Sequence, residues 1–209
     1  MSKEYKTILL DCAEDSFVEK KSEFISYVSR ADTEQQAKEF IESIKNKHRD
    51  ATHNVYAYVL KDTGIARCSD DGEPSGTAGM PVLEVIKREG LSGVCVVVTR
   101  YFGGILLGAG GLVRAYAKAA KLGIDKAGTA VFTEHITFDV TVSYAEYERI
   151  TRELPKYGCA CRDTAFSENV RLSLSCENKD FDRARAFLSD ATSGKAECVI
   201  TGSAFLSKI

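Results

Sequence analysis

Tryptophan is absent from this 209-residue chain, methionine appears twice, and proline and histidine three times each. The composition, 44% hydrophobic and 28% charged, is that of a globular protein and excludes collagen, a disordered tail and a disulfide mini-scaffold. No run approaches the ~18 apolar residues that a membrane helix requires. The opening Met-Ser-Lys-Glu-Tyr-Lys-Thr lacks the apolar core of a signal peptide. Charge of one sign is lacking as well. A net charge of −2 and a pI near 6.0 exclude a globally basic nucleic-acid coat, so any such binding must come from a local patch. The seven cysteines form an odd set without a Cys-x-x-Cys pair. In the absence of an export signal they read as reduced thiols, which places the protein in the cytoplasm with no membrane partner.

What is present divides into two textures. Twelve of the 16 glycines precede residue 128, and a new alternating pattern begins just after it. The expected domains are therefore 1–128 and 132–207, joined by a short hinge at about 128–132. In the second, Phe132, Ile136, Phe138, Val140 and Val142 are spaced in twos over most of their length, the period of a half-buried strand. Ser143 and Glu146 form a capping box for a helix with Tyr147, Ile150 and Leu154 on one stripe, ended by Pro155 and Gly158. Strands over 159–166 and 169–176 follow, then a helix capped by Asn178 or Asp180, and a last strand over 197–206. That order, β-α-β-β-α-β, is the ferredoxin-like one, within an α+β fold class.

The first half is less regular. Strands are expected over 5–11, 24–30 and 54–60, with a helix capped at Asp32-Thr33 and Gln35-Gln36 between the second and third. A loop runs from Cys68 to Met80 into a helix beginning at Pro81. The apolar run Val94–Thr99 reads as a strand buried on both faces, and Leu112–Lys126 as a helix.

Two segments could carry chemistry. The loop residues Asp70, Asp71, Gly72, Glu73, Ser75, Gly76 and Thr77 combine carboxylates, hydroxyls and positive-φ glycines just before a helix N-terminus. His53 opens a strand and is the one histidine expected near them. The other segment, Arg100-Tyr101-Phe102-Gly103-Gly104, sets a cation beside aromatics and bare backbone, a combination suited to phosphate or a stacked base. On the helix that follows, Arg114, Lys118 and Lys121 share one side and Leu112, Tyr116, Ala119 and Gly123 the other. No Walker loop, dinucleotide fingerprint, nucleophile elbow or zinc spacing is present, and neither a cofactor nor a resident metal is expected.

The runs Ser69-Asp-Asp-Gly-Glu-Pro-Ser-Gly-Thr-Ala-Gly-Met-Pro81 and Val96-Val-Val-Thr-Arg-Tyr-Phe-Gly-Gly-Ile-Leu-Leu-Gly-Ala-Gly-Gly-Leu-Val-Arg-Ala-Tyr116, with His53-Asn-Val-Tyr-Ala-Tyr58, resemble the signatures of the IMPACT/YigZ family in its bacterial two-domain form. The resemblance implies an N-terminal domain similar to the second domain of a small-subunit ribosomal protein. It also implies a ferredoxin-like C-terminal domain similar to the last domain of elongation factor G. Eukaryotic relatives regulate translation initiation. The expectation is a translation-associated regulatory protein that binds RNA or the ribosome through a glycine-rich basic groove. In that groove Arg100, Arg114, Lys118 and Lys121 would meet phosphate and Tyr101 and Phe102 would meet bases. The alternatives are a Mg²⁺-dependent enzyme on a phosphorylated small molecule or nucleotide, with Asp70, Asp71 and Glu73 as metal ligands, and a protein-interaction module. The lack of a nucleophile–base pair favours binding over catalysis.

Overall fold

The computed structural model describes residues 4–207; residues 1–3 of the first expected domain lie outside the described residues. Residues 5–131 form one compact unit and residues 132–207, with Glu4, the other. The strand expected to follow the seam begins at Thr129 and continues to Val142, crossing the division between the units at residue 131.

The first unit contains β1 (Glu4–Ile8) apart from Glu4, β2 (Cys12–Glu19), β3 (Ser22–Arg30), α1 (Glu34–Lys47), β4 (His53–Val59), β5 (Ala66–Ser69), α2 (Gly79–Arg88), β6 (Val94–Tyr101) and α3 (Ala109–Ala127). Five strands make an antiparallel sheet in the order β2–β3–β6–β4–β5. The central strand β6 is buried from Val94 to Arg100, which explains its unbroken apolar sequence. Alternation divides it. Val94, Val96 and Val98 join the core under α2 and α3, whereas Cys95 and Val97 join the core under α1. The unit is thus three layers, with α1 on one sheet face and α2 and α3 on the other.

The capping box expected for α1 is present: Thr33 Oγ1 accepts the Gln36 amide at 3.2 Å, and Gln36 Oε1 accepts the Thr33 amide at 3.1 Å. Two strands are additional to those expected, β2 and β5. Strand β2 is an edge strand with most side chains in solvent, and its turn to β3 is made by Lys20 and Lys21, both with positive φ. Neither an apolar period nor a Gly or Asn marks it. Helix α2 begins at Gly79, two residues before the expected Pro81.

The second unit carries β7 (Thr129–Val142), α4 (Tyr144–Glu153), a 3-10 turn (Leu154–Tyr157), β8 (Cys159–Phe166), β9 (Val170–Glu177), α5 (Asn178–Ala191) and β10 (Cys198–Ser207). Strand β7 pairs antiparallel with both β9 and β10, and β9 with β8. Phe138, Val140, Val142, Leu172 and Leu174 pack against Ile150 and Leu154 at the end of α4 and Ala184 and Leu188 of α5. The β-α-β-β-α-β order is therefore as expected. The cap of α5 differs: Asn178 is its first residue, Glu177 precedes it, and no side chain caps the end.

Candidate functional site

The loop between β5 and α2 is organised by one carboxylate. Asp70 accepts the amides of Gly76 (2.8 Å), Ala78 (3.1 Å) and Gly79 (2.8 Å), so it closes the loop and satisfies the start of α2. Burial acts to raise its pKa, but the three backbone bonds together hold the carboxyl below its ordinary range. Gly79 is required by close approach, because a Cβ there would lie 2.7 Å from the Ser69 carbonyl carbon. Thr77 is buried and its hydroxyl donates to the Pro74 carbonyl, whereas Ser75 is exposed. Asp71, Gly72 and Gly76 take the positive-φ positions of the loop.

Asp71 is equally engaged. Its Oδ1 meets Lys45 at 2.9 Å and its Oδ2 accepts the Asn54 amide at 2.7 Å. Glu73 turns inward, with its side chain 3% exposed. Its Oε1 accepts Arg100 Nη1 at 2.6 Å and the Tyr116 hydroxyl at 2.7 Å. Burial, with the Glu73 carboxylate beside it, pushes the Tyr116 hydroxyl well above its ordinary pKa, so it stays a proton donor. The three carboxylates proposed as a Mg²⁺ set are thus each committed to a different protein partner and do not converge.

Sheet register places the remaining pieces. Arg100 lies opposite Phe24 on β3 and His53 on β4, a row of three on the face covered by α2 and α3. Its guanidinium lies over the rings of Phe24 (5.4 Å) and Phe102 (5.5 Å), and Nη2 reaches Ser22 Oγ at 3.4 Å. With a side chain 5% exposed, Arg100 is a buried counter-ion and not the surface phosphate contact expected from the sequence. Tyr101 is separated from Phe102 by the same alternation. It faces the α1 side, where its hydroxyl meets His48 Nδ1 at 2.8 Å, and it is not a partner for Phe102 in stacking.

After β6 the chain crosses the β2–β3 turn. Gly103 donates its amide to Ser22 Oγ at 3.1 Å and sits so close to the Lys21 backbone that any Cβ would overlap it. Gly104, at φ +82°, has open space around it. Beyond it Leu106 is 81% exposed, and α3 starts at Ala109 behind Gly108, with no side chain capping the helix.

Two adjoining depressions result. One, of about 390 Å³, has His53, Glu73 and Arg100 among its lining and Pro74, Phe102, Leu106, Leu107 and Leu112 as apolar walls, with Gly108 and Ala109 at the helix start. The other, of about 150 Å³, is lined by Phe17, Glu19, Lys20, Gly111, Arg114, Ala115 and Lys118. Leu107 belongs to both. Lys118 lies over the Phe17 ring at 4.2 Å, and among the described residues Lys20, Arg114 and Lys118 have no acidic partner. Lys121, the third member of the expected basic stripe, is neutralised by Glu89 (3.2 Å) and Asp125.

The structure therefore brings His53, Glu73, Arg100 and Phe102 together and leaves Tyr101, Asp71 and Lys121 outside the cleft. Lys20, Ser22, Leu106, Leu107 and Tyr116 join the site without having been candidates. The parity of β6 could have shown that Arg100 shares the Val94–Val96–Val98 face, opposite Tyr101.

Comparison with known proteins agrees with these motifs. The family model described as the Impact N-terminal domain matches residues 20–124, and one described as a domain of unknown function (DUF1949) matches residues 140–195. The chain is 41% identical over 188 residues to the IMPACT family member YvyE of Bacillus subtilis, covering 90% of this chain and 87% of the relative. It is 34% identical to an IMPACT family member of Haemophilus influenzae, covering 84% and 87%. A crystal structure of a hypothetical protein superposes with a TM-score of 0.62 at 29% identity, over 95% of this chain and 98% of that one. With the signature loop, the central strand and the glycine-rich turn all in place, the chain belongs to the IMPACT family.

Proposed function

We propose that this protein is a translation-associated regulator that binds single-stranded RNA, free or on the ribosome, through its N-terminal unit. The observation that carries the reading is the convergence of Lys20, Arg114 and Lys118 on one groove that shares Leu107 with the cleft walled by Phe102. Unpaired cations beside an aromatic and apolar recess are what a phosphate backbone with splayed bases requires. The family resemblance supports the translation context. Relative to the sequence expectation, Arg114 and Lys118 are kept as phosphate contacts, Lys20 is added, and Arg100 and Lys121 drop out because they are already ion-paired.

The test is binding of a single-stranded RNA oligonucleotide across a salt series, for the wild type and for Arg114→Ala/Lys118→Ala. Each lost phosphate contact is expected to flatten the log–log salt slope by about 0.7, so the double variant should lose about 1.4. Both residues are exposed, so the variant should keep its fold. No binding at low salt, or an unchanged slope, would overturn the reading. A protein partner is the second reading, favoured by the exposed apolar residues Phe102, Ile105 and Leu106. It predicts binding that salt hardly weakens.

A further inference from the structure

The cleft has a more specific chemistry than the groove beside it. Glu73 is almost fully buried, and both donors that hold it, Arg100 and Tyr116, bind the same oxygen, Oε1. Its Oε2 accepts no hydrogen bond from the described residues, and His53 Nε2 lies 3.8 Å from it. His53 Nδ1 lies 2.7 Å from the Asp71 carbonyl, which can only accept, so Nδ1 carries the proton. In the neutral imidazole Nε2 is then an acceptor too. The polar floor of the cleft thus presents two acceptors side by side, with Glu73 fixed by buried partners and His53 fixed by the Asp71 backbone.

An acceptor pair of this kind selects a ligand with two adjacent donors. The walls add apolar surface from Phe102, Pro74 and Leu112, Phe102 supplying an aromatic face. At its rim α3, a helix of 19 residues, starts without a side-chain cap, so its first amides are free for an anion. A planar donor edge, an aromatic face and a phosphate are together a nucleotide. Among the common bases only guanine carries adjacent donors, the ring N1–H and the exocyclic amino group. Adenine and cytosine set an amino group beside a ring acceptor, and uracil sets one N–H between two carbonyls, which Glu73 would repel.

Resting on the RNA-binding reading, we infer that the cleft is the base subsite of that groove and that it takes a single unstacked guanine nucleotide. Glu73 Oε2 and His53 Nε2 accept from its Watson–Crick edge and Phe102 covers its face. Its phosphate lies at the start of α3, from which the strand continues onto Arg114 and Lys118. Glu73 and His53 are binding residues here, and Arg100 and Tyr116 are positioning residues that hold the Glu73 carboxyl in place.

The experiment is calorimetric titration of the whole protein with 5′-GMP, 5′-IMP and 5′-UMP. Inosine lacks only the exocyclic amino group, so this arm changes the ligand and leaves the fold untouched. Saturable GMP binding, roughly tenfold or more tighter than IMP and weaker still for UMP, is expected from loss of a charge-assisted hydrogen bond. Phe102→Ala should weaken GMP by about tenfold through loss of the stacked face. His53→Ala should reduce the preference of GMP over IMP, with the circular dichroism spectrum as the check on folding. Equal affinity for the three nucleotides, or no GMP binding, would overturn the inference. If GMP fails while RNA binding remains salt-dependent and sensitive to Arg114→Ala/Lys118→Ala, the base subsite falls and the groove stands. If GMP binds selectively while RNA does not bind, the subsite stands as a site for free guanine nucleotides and the RNA reading falls.

Discussion

The interior of residues 5–131 encloses an ion pair, Glu73–Arg100, at 2.6 Å. The interior of residues 132–207 has, among the described residues, only the hydroxyls of Thr133, Ser175 and Thr192 as buried polar side chains. The second unit is what packing alone demands: an apolar sheet face, two helices laid on it, and a polar capping box at the start of α4. The first unit could have been finished in the same manner. A buried ion pair is a poor means of gaining stability, because desolvation offsets most of the attraction. The pair lies in the lining of an apolar recess of about 390 Å³, where the proposed base subsite uses the second oxygen of Glu73.

This difference can be tested first through Arg100→Met. Leaving Glu73 buried without its counter-ion should lower stability by about 3–5 kcal/mol, read from urea unfolding. The double change Glu73→Leu/Arg100→Met should restore part of that loss, since two apolar groups need no counter-ion, while the buried Tyr116 hydroxyl loses its acceptor. A double variant as unstable as the single one would mean that the pair is needed to fold.

A smaller effect is expected from Asp70→Ala, which strips the acceptor from three amides of the loop and of α2. About 2 kcal/mol should be lost. The dependence on pH follows from the depressed pKa of Asp70. Protonation opposes the folded state, so its contribution is complete above its ordinary value of 3.8 and is lost as pH falls through the lower folded value. The gap in unfolding midpoint between wild type and Asp70→Ala should therefore be full at pH 5 and should narrow below 3.8. A gap that persists undiminished in acid would assign the loss to packing instead.

The smallest change belongs to the second unit. Ser143 and Glu146 form the capping box of α4, with Glu146 Oε2 accepting the Ser143 amide at 2.9 Å. Ser143→Ala should cost about 1 kcal/mol in urea unfolding and leave RNA and nucleotide binding unchanged. Altered binding would show that the site depends on the second unit as well.

The elements that were legible in the sequence share a feature: their signals lie within a few residues of one another. The capping boxes at Thr33–Gln36 and Ser143–Glu146, the alternation of Phe138, Val140 and Val142, and the buried stripe Leu112–Tyr116–Ala119–Gly123 of α3 are all where their patterns place them. Strand β2 was not legible because an exposed edge strand has one sparse apolar face, and its Lys20-Lys21 turn uses residues that do not announce positive φ. The site residues were recognisable as a set, but their roles were not. Asp70, Asp71 and Glu73 look alike in sequence, yet one caps a helix, one holds Lys45 and a strand amide, and one is buried against Arg100.

The sequence by itself determined the local elements, the family and the loops that carry the chemistry, since periodicity, capping and turn preferences act over one or two helical turns. Only the tertiary structure decided which charges remain free. Glu73 meets Arg100 across 27 residues and Tyr116 across 43, and His53 and Phe24 join them through sheet register. Those meetings depend on chain closure and on exclusion of water around the pair, and neither is written in the spacing of neighbouring residues. They leave Glu73 Oε2, His53 Nε2, Arg114 and Lys118 as the groups able to bind something else.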